Sequence, residues 1–301
     1  MRIAVLGLGE MGSRIATRLL DACHDVVVWN RTAAKAEGFP EIAASPAAAA
    51  DEADAVITMV ANPQALREVT RDIAPPTLIE MSTVGPAAIH ELSATLPPET
   101  DLLDAPVLGS RAEAEAGTFQ IFVGATPELY AKWAPLLEAL GTPHHVGGLG
   151  AGAAAKLVAN STLFGTLALL GEALRLAERL GLSRDAAFEI LATTPIAGQA
   201  DRRREALETN EFPPRFPLSL AHKDAELVVA AAANLRLAQA ARSWLADADQ
   251  ASWGERDYSA LLAWILGSPD EQQDQRDQEN DEQPVVDRKS AYEREDDQQQ
   301  H

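Results

Sequence analysis

From residue 2 to about 146, short apolar runs rich in β-branched residues alternate with stretches of helical period. Residues 2–6 and Asp25–Trp29 read as strands, as do Ala55–Val60, Thr77–Met81, Leu102–Asp104, Gln120–Val123 and the pair His145-Val146. Pro46, Pro63, Pro86 and Pro127 fall where helices should begin, a position at which the missing N–H costs nothing. This alternation predicts an α/β doubly wound parallel sheet. After Gly152 it stops. Residues 153–181 form one long proline-free helical pattern, and the rest to about 266 is helical in period, punctuated by Pro195, Pro213, Pro214 and Pro217. The long pattern is apolar nearly all round and contains Lys156 and Asn160, which fits a buried interdomain helix better than a membrane span. The expected organisation is a sheet domain over 1–150, an all-helical domain over 151–267, and a tail over 268–301.

The first strand ends in Gly7-Leu8-Gly9-Glu10-Met11-Gly12, which opens a helix and is followed by a second strand at the expected distance. That order predicts a Rossmann dinucleotide-binding unit. Gly7 serves the tight turn, Gly9 lets backbone approach a pyrophosphate, and Gly12 allows close packing of helix on sheet. A helix starting near Glu10 turns its unpaired N–H groups toward the phosphates. The second strand then ends in Asn30-Arg31-Thr32, where an NAD site usually carries Asp or Glu. Arg31 suits a 2′-phosphate, with Asn30 and Thr32 as neutral donors, so the expected cofactor is NADP(H).

Composition narrows the partners. The 301 residues are 47% hydrophobic and carry a net charge of −20. The tail holds 12 acidic and 4 basic side chains, and its Gln, Asp and Glu content reads as disorder. Neither nucleic acid nor an anionic membrane is an expected partner. Cys23 is the single cysteine, which fits a reducing cytoplasm, and the start of the chain does not read as a signal peptide. The six histidines show no metal-ligand spacing.

Lys156 and Asn160 are four residues apart, hence on one face of the long helix. Read alone, Lys156 is either a lysine snorkelling from a helix start or a general acid that protonates a carbonyl oxygen as hydride arrives. The arginine run 202–204 reads as a solvated face from which one residue can reach an anion.

The chain resembles the β-hydroxyacid dehydrogenase family over residues 1 to about 266. The motifs are Gly7–Gly12, Glu80-Met-Ser-Thr-Val-Gly-Pro86, Asp104-Ala-Pro-Val-Leu-Gly-Ser110, Gly150 through Asn160, and Phe216-Pro-Leu-Ser-Leu-Ala-His-Lys-Asp224. The resemblance implies that Lys156 is the catalytic lysine and Asn160 its companion. It places Thr83 near nicotinamide and substrate and Val60 with Ala61 on the adenosine side. Lys223 and Asp224 would close the site from the helical domain, with Leu108, Gly109, Ser110 and Phe216 facing substrate. Leu108 departs from the family's usual serine, leaving the N–H groups around Gly109 and Ser110 as an anion nest. Arg31 and Phe212-Pro-Pro-Arg-Phe-Pro-Leu look most like the glyoxylate/succinic semialdehyde reductase branch. The expected enzyme reduces a small aldehyde or keto acid as a homodimer or homotetramer. An imine reductase and a non-catalytic NADPH-binding module are the alternatives.

Overall fold

The computed structural model describes residues 1–267; the acidic segment 268–301, read from sequence as disordered, lies outside the described residues. The chain runs β1 (Arg2–Leu6), α1 (Glu10–Asp21), β2 (Asp25–Trp29), α2 (Pro46–Ala50), β3 (Ala55–Thr58), α3 (Pro63–Thr70), β4 (Thr77–Glu80), α4 (Gly85–Thr95), β5 (Asp101–Asp104), β6 (Val107–Leu108), α5 (Arg111–Ala116), β7 (Phe119–Gly124), α6 (Pro127–Glu138) and β8 (Gly141–Gly147). Helices follow: α7 (Ala151–Arg179), α8 (Arg184–Leu191), α9 (Ala197–Thr209), α10 (Leu218–Ala231), α11 (Arg236–Ala248) and α12 (Leu261–Leu266). The prolines stand at helix starts as expected. Ser45, Asn62 and Thr126 cap α2, α3 and α6 by accepting the N–H groups of Ala48, Ala65 and Leu129.

The sheet order is β2-β1-β3-β4-β5-β7-β6, with β8 paired to β7. Strands β2, β1, β3, β4 and β5 are mutually parallel. Their side chains alternate between two buried faces: Ile3, Val5, Ile57 and Ile79 point to one core, and Ala4, Leu6, Val56 and Leu78 to the other. The far edge of the sheet is mixed. Strand β6, absent from the sequence reading, and β5 both pair antiparallel with β7. The link from Leu108 to Phe119 explains this, because a parallel crossover needs roughly a dozen residues or more and α5 leaves fewer.

Helix α7 starts two residues before the predicted 153 and is the spine of the molecule. Its N-terminal end packs on the sheet: a Cβ on Gly152 would stand 2.3 Å from the Phe122 carbonyl oxygen in β7. Its middle packs in the helical layer, where a Cβ on Gly171 would meet Ile265 of α12 at 2.7 Å. By length and composition it could cross a membrane, but half of the relevant stretch is buried inside the molecule. Phe164, Leu167, Leu170 and Leu174 form a third core with Leu218, Leu245, Leu261 and Ile265.

Candidate active site

The C-terminal ends of parallel strands lie along one sheet edge, so the turns after β1, β3, β4 and β5 converge. The turn after β1 is shaped by what its glycines lack. Gly7 has φ +103°, and a Cβ there would stand 2.3 Å from Met59 O. On Gly12 a Cβ would stand 1.9 Å from Gly7 O, whereas Gly9 has nothing within 4 Å of that position. Helix α1 begins at Glu10 behind an N-cap glycine with no side-chain cap, leaving its first N–H groups for an anion. These are the features a dinucleotide pyrophosphate requires, and they fit an NAD(P) cofactor.

Asn30 and Arg31 part company in the structure. The Asn30 side-chain oxygen accepts the Leu8 N–H at 2.8 Å, and its amide donates to Thr32 O at 2.9 Å. Asn30 therefore braces the glycine turn rather than offering free donors, and Thr32 starts the 3₁₀ turn Ala33–Ala36. Arg31 reaches into solvent, its side chain 83% exposed and 4.0 Å from Glu68. Glu10 pairs with Arg14 at 3.1 Å and Arg111 at 2.9 Å, tying the glycine turn to α5, while Met11 packs on the core beside it.

Behind Val60 and Ala61 lies a buried network that the sequence reading missed. Glu80, at the end of β4, is fully buried. It accepts the Ser82 N–H at 2.7 Å and the Thr58 hydroxyl, while Ser82 Oγ accepts the Val60 N–H at 2.8 Å. Burial pushes the Glu80 carboxyl up to about 7 despite these donors.

Lys156 and Asn160 do share a face of α7, opposite Lys223 and Asp224 of α10. Asn160 Nδ2 donates to Asp224 Oδ2 at 2.8 Å. Lys223 Nζ donates to the Thr83 carbonyl at 2.6 Å and forms an ion pair with Asp224 Oδ1 at 2.6 Å. One lysine thus ties α10 to the turn after β4. Burial raises the Asp224 carboxyl, countered by Lys223, Lys156 and Asn160. Burial lowers the Lys156 ammonium to about 8; Asp224 pulls it up and Lys223 pushes it down. Lys156 makes no hydrogen bond or ion pair among the described residues.

The turn at 108–110 departs from expectation. Ser110 donates both its N–H and its hydroxyl to Glu113 Oε2, each at 2.6 Å, and this holds the Glu113 carboxyl below its usual range. The anticipated nest already has a carboxylate from the chain itself on the Ser110 donor. Gly109 has φ +152°, and a Cβ there would stand 2.8 Å from Phe119 and 2.9 Å from Glu113, while Leu108 is half-buried. Phe216 stacks edge-on with Tyr258 at 5.6 Å, and Asp257 holds the Arg215 and Phe216 N–H groups. Of the arginine run, Arg203 donates to the Tyr258 hydroxyl and Arg204 pairs with Asp185 and Glu208, so these two are engaged within the helical layer.

Two family models divide the chain. Residues 2–150 match the NAD binding domain of 6-phosphogluconate dehydrogenase, and residues 150–265 the NAD-binding region of NADP-dependent 3-hydroxyisobutyrate dehydrogenase. The chain belongs to the β-hydroxyacid dehydrogenase family and is an NAD(P)-dependent oxidoreductase of that kind. It is 31% identical to the 3-sulfolactaldehyde reductase of Escherichia coli, covering 87% of this chain and 95% of that one. With glyoxylate/succinic semialdehyde reductase 2 of Arabidopsis thaliana it shares 29% identity over 86% of this chain and 78% of the relative. The 3-hydroxyisobutyrate dehydrogenase of Mycobacterium tuberculosis, solved with L-serine, superposes with a TM-score of 0.76 at 28% identity, over 88% of this chain and 99% of the other. Solved imine reductases and a reductive aminase share the fold at 18–21% identity, a likeness of fold alone.

Proposed function

We propose that the protein is an NADPH-dependent reductase of a small aldehyde or keto acid, with residues 1–150 holding the dinucleotide and 151–267 completing the substrate site. The observation that carries this reading is Lys156, a half-buried ammonium lowered to about 8 by desolvation and without a hydrogen-bond or ion-pair partner among the described residues, on the helix that leaves the sheet edge. A bound nicotinamide supplies or accepts the hydride. Lys156 donates the proton to the carbonyl oxygen in reduction and takes it back in oxidation. Asn160 is fixed by Asp224 and orients the reacting group, while Lys223 holds the turn carrying Thr83.

Arg31 supports NADPH over NADH, because an exposed guanidinium at the end of β2, held only by a 4.0 Å ion pair to Glu68, can fork onto a 2′-phosphate. Steady-state kinetics with both cofactors over a panel of glyoxylate, succinic semialdehyde, 3-sulfolactaldehyde and cyclic imines tests the whole reading. Turnover of an aldehyde acid with NADPH preferred is the expected result; turnover of the imines alone overturns it, as does tight NADPH binding without turnover on any carbonyl.

A second copy of this chain completes the picture. Val158, Leu169, Leu176 and Leu180 are exposed and lie along one stripe of α7. We assign this stripe to a homodimer or homotetramer interface in a cytoplasmic enzyme. Replacement of Leu169 and Leu176 by Glu should convert the assembly to monomers in analytical ultracentrifugation.

A further inference from the structure

Helix α7 has no cap of its own. Its N-cap is Gly150 at φ +89°, a backbone conformation in which Ser, Thr or Asp is strained, and no side chain near 148–153 closes its first turn. The missing acceptor comes from the sheet. Asp104, the last residue of β5, is completely buried. Its Oδ1 accepts the Gly150 N–H at 2.7 Å, and its Oδ2 accepts the Ala153 N–H at 2.6 Å. Both carboxylate oxygens are thus spent on the two N–H groups that an N-cap side chain and its backbone would normally leave to be satisfied.

The surroundings are shaped around this carboxylate. Gly124 of β7 lies opposite Asp104 in the antiparallel pair, and a Cβ there would stand 2.3 Å from Asp104 Oδ1. On Gly152 a Cβ would stand 2.6 Å from the Asp104 carbonyl oxygen and 2.9 Å from Oδ2. Two glycines on two other elements therefore make room for one aspartate. The Ala153 N–H is only three residues, about 4.5 Å of helix rise, from Lys156.

Rigid attachment at this point decides which part of the molecule carries Lys156. The helical layer grips α7 beyond it, through Asn160 to Asp224 and through Gly171 against Ile265. The sheet grips it before Lys156, through Asp104. We propose that Asp104 is the positioning residue for Lys156: its carboxylate locks the first turn of α7 to the end of β5, so that the proton donor keeps a fixed place relative to the sheet edge that receives the cofactor. Asp104 acts through Lys156 and touches no reactant. The inference rests on the reading of Lys156 as the proton donor.

The test is a double-mutant cycle with Asp104→Asn and Lys156→Ala. Asparagine has nearly the volume of aspartate but offers one acceptor, and its NH₂ opposes the remaining N–H. Asp104→Asn should lower kcat about 10- to 100-fold, the scale of a displacement of about 1 Å at a reacting group. The Kd for NADPH, read by fluorescence titration, should stay within about twofold, because the Gly7–Gly12 turn is not involved. In the Lys156→Ala background the same replacement should cost nothing further, since the group it positions is gone. A structural role spread over the fold gives equal losses in both backgrounds. Equal losses, an unchanged kcat in Asp104→Asn, or cofactor affinity falling in step with kcat each overturn the proposal. Wild-type turnover by Lys156→Ala alone is a different failure and overturns the assignment of the proton donor. If Asp104→Asn does not accumulate folded, Asp104→Ser, which keeps one acceptor at a natural capping group, replaces it in the cycle under the same expectations.

Discussion

The turn at Gly7–Gly12 and the first turns of α7 are the two ends of the proposed site, built by opposite means. At the glycine turn the chain makes room by leaving side chains out, so that bare backbone and an uncapped helix start are left for a dinucleotide on the proposed reading. Around α7 it withdraws charges from water: Asp224 is buried and acts on the half-buried Lys156, Asp104 caps the start of the helix, and Glu80 sits one strand away in register with Asp104. One end cannot bear an added methyl group. The other cannot bear a lost charge.

The largest expected effect lies at the charged end. Lys156→Ala should lower kcat by about 10²- to 10⁴-fold, the range of a lost general acid, while NADPH binds with near-normal affinity. Stopped-flow single turnovers with pre-bound NADPH would separate the two. A matching loss of cofactor affinity would mean that the two ends are not independent, and the contrast would collapse.

Glu80 tests whether buried charge is costly here. Its carboxyl lies at about 7 when folded and near 4.5 when unfolded, so the native state retains the proton over that interval. The stabilisation from this retention is complete below 4.5 and is lost as pH rises through 7. The shift amounts to about 3 kcal/mol at most. Glu80→Gln cannot titrate, so the stability of the wild type relative to this variant should fall by up to that amount from pH 4.5 to 8 in urea denaturation. A difference that stays constant with pH would show that Thr58 and Ser82 keep Glu80 ionised throughout.

At the glycine end, Gly12→Ala places a Cβ against Gly7 O at 1.9 Å, forcing α1 from the sheet. Overpacking of this sort costs about 1–3 kcal/mol. The Kd for NADPH should rise about tenfold or more, with a lower melting temperature. Gly9→Ala meets no atom of the chain within 4 Å and should fold normally. Its weakened NADPH binding would then come from the cofactor side alone. Equal melting temperatures for the two variants would remove the distinction drawn between Gly9 and Gly12.

These two ends were unequally legible in the sequence. The glycine turn could be read because its logic is local: a strand, three glycines and a helix within a dozen residues carry it. Lys156 and Asn160 were visible for the same reason, four residues apart on an apolar helix. Asp104 and Glu80 were not, because their partners are distant in sequence: Gly150 and Ala153 for Asp104, Thr58 for Glu80. Only the fold brings them together. The antiparallel edge escaped for a different reason, since two-residue β6 is too short to show any period. Glu113 was within reach, because Ser110-x-x-Glu113 is a local capping pattern; reading it would have removed Ser110 from the anion nest.

The pH profile bears on the charged end again, at about tenfold per unit. With Lys156 as the proposed proton donor in reduction, kcat/KM for the aldehyde should be level below pH 8 and fall tenfold per unit above it. The oxidation of the hydroxy acid needs the free amine and should rise with pH up to 8 and then level. A reduction profile flat to pH 10 would deny Lys156 the acid role. Asp224→Asn removes the carboxylate that raises Lys156 and should move the break to lower pH.

Unlike Glu10, which is paired with Arg14 and Arg111, Arg31 stands in solvent at the glycine end, and it carries the smallest effect. It lies in solvent, with Glu68 4.0 Å away as its nearest ionic neighbour, so water and salt screen what it contributes. A charge-assisted bond to a 2′-phosphate is worth about 1.5–3 kcal/mol when sheltered and falls toward the lower figure in this position. Arg31→Ala should therefore cut the preference for NADPH over NADH about tenfold, with kcat on the saturated cofactor unchanged. Raising the salt concentration should shrink the wild-type preference toward that of the variant. If NADH and NADPH are used equally well before the replacement, the end of β2 does not choose the cofactor, and the backbone around Gly7–Gly12 alone accounts for binding at that end.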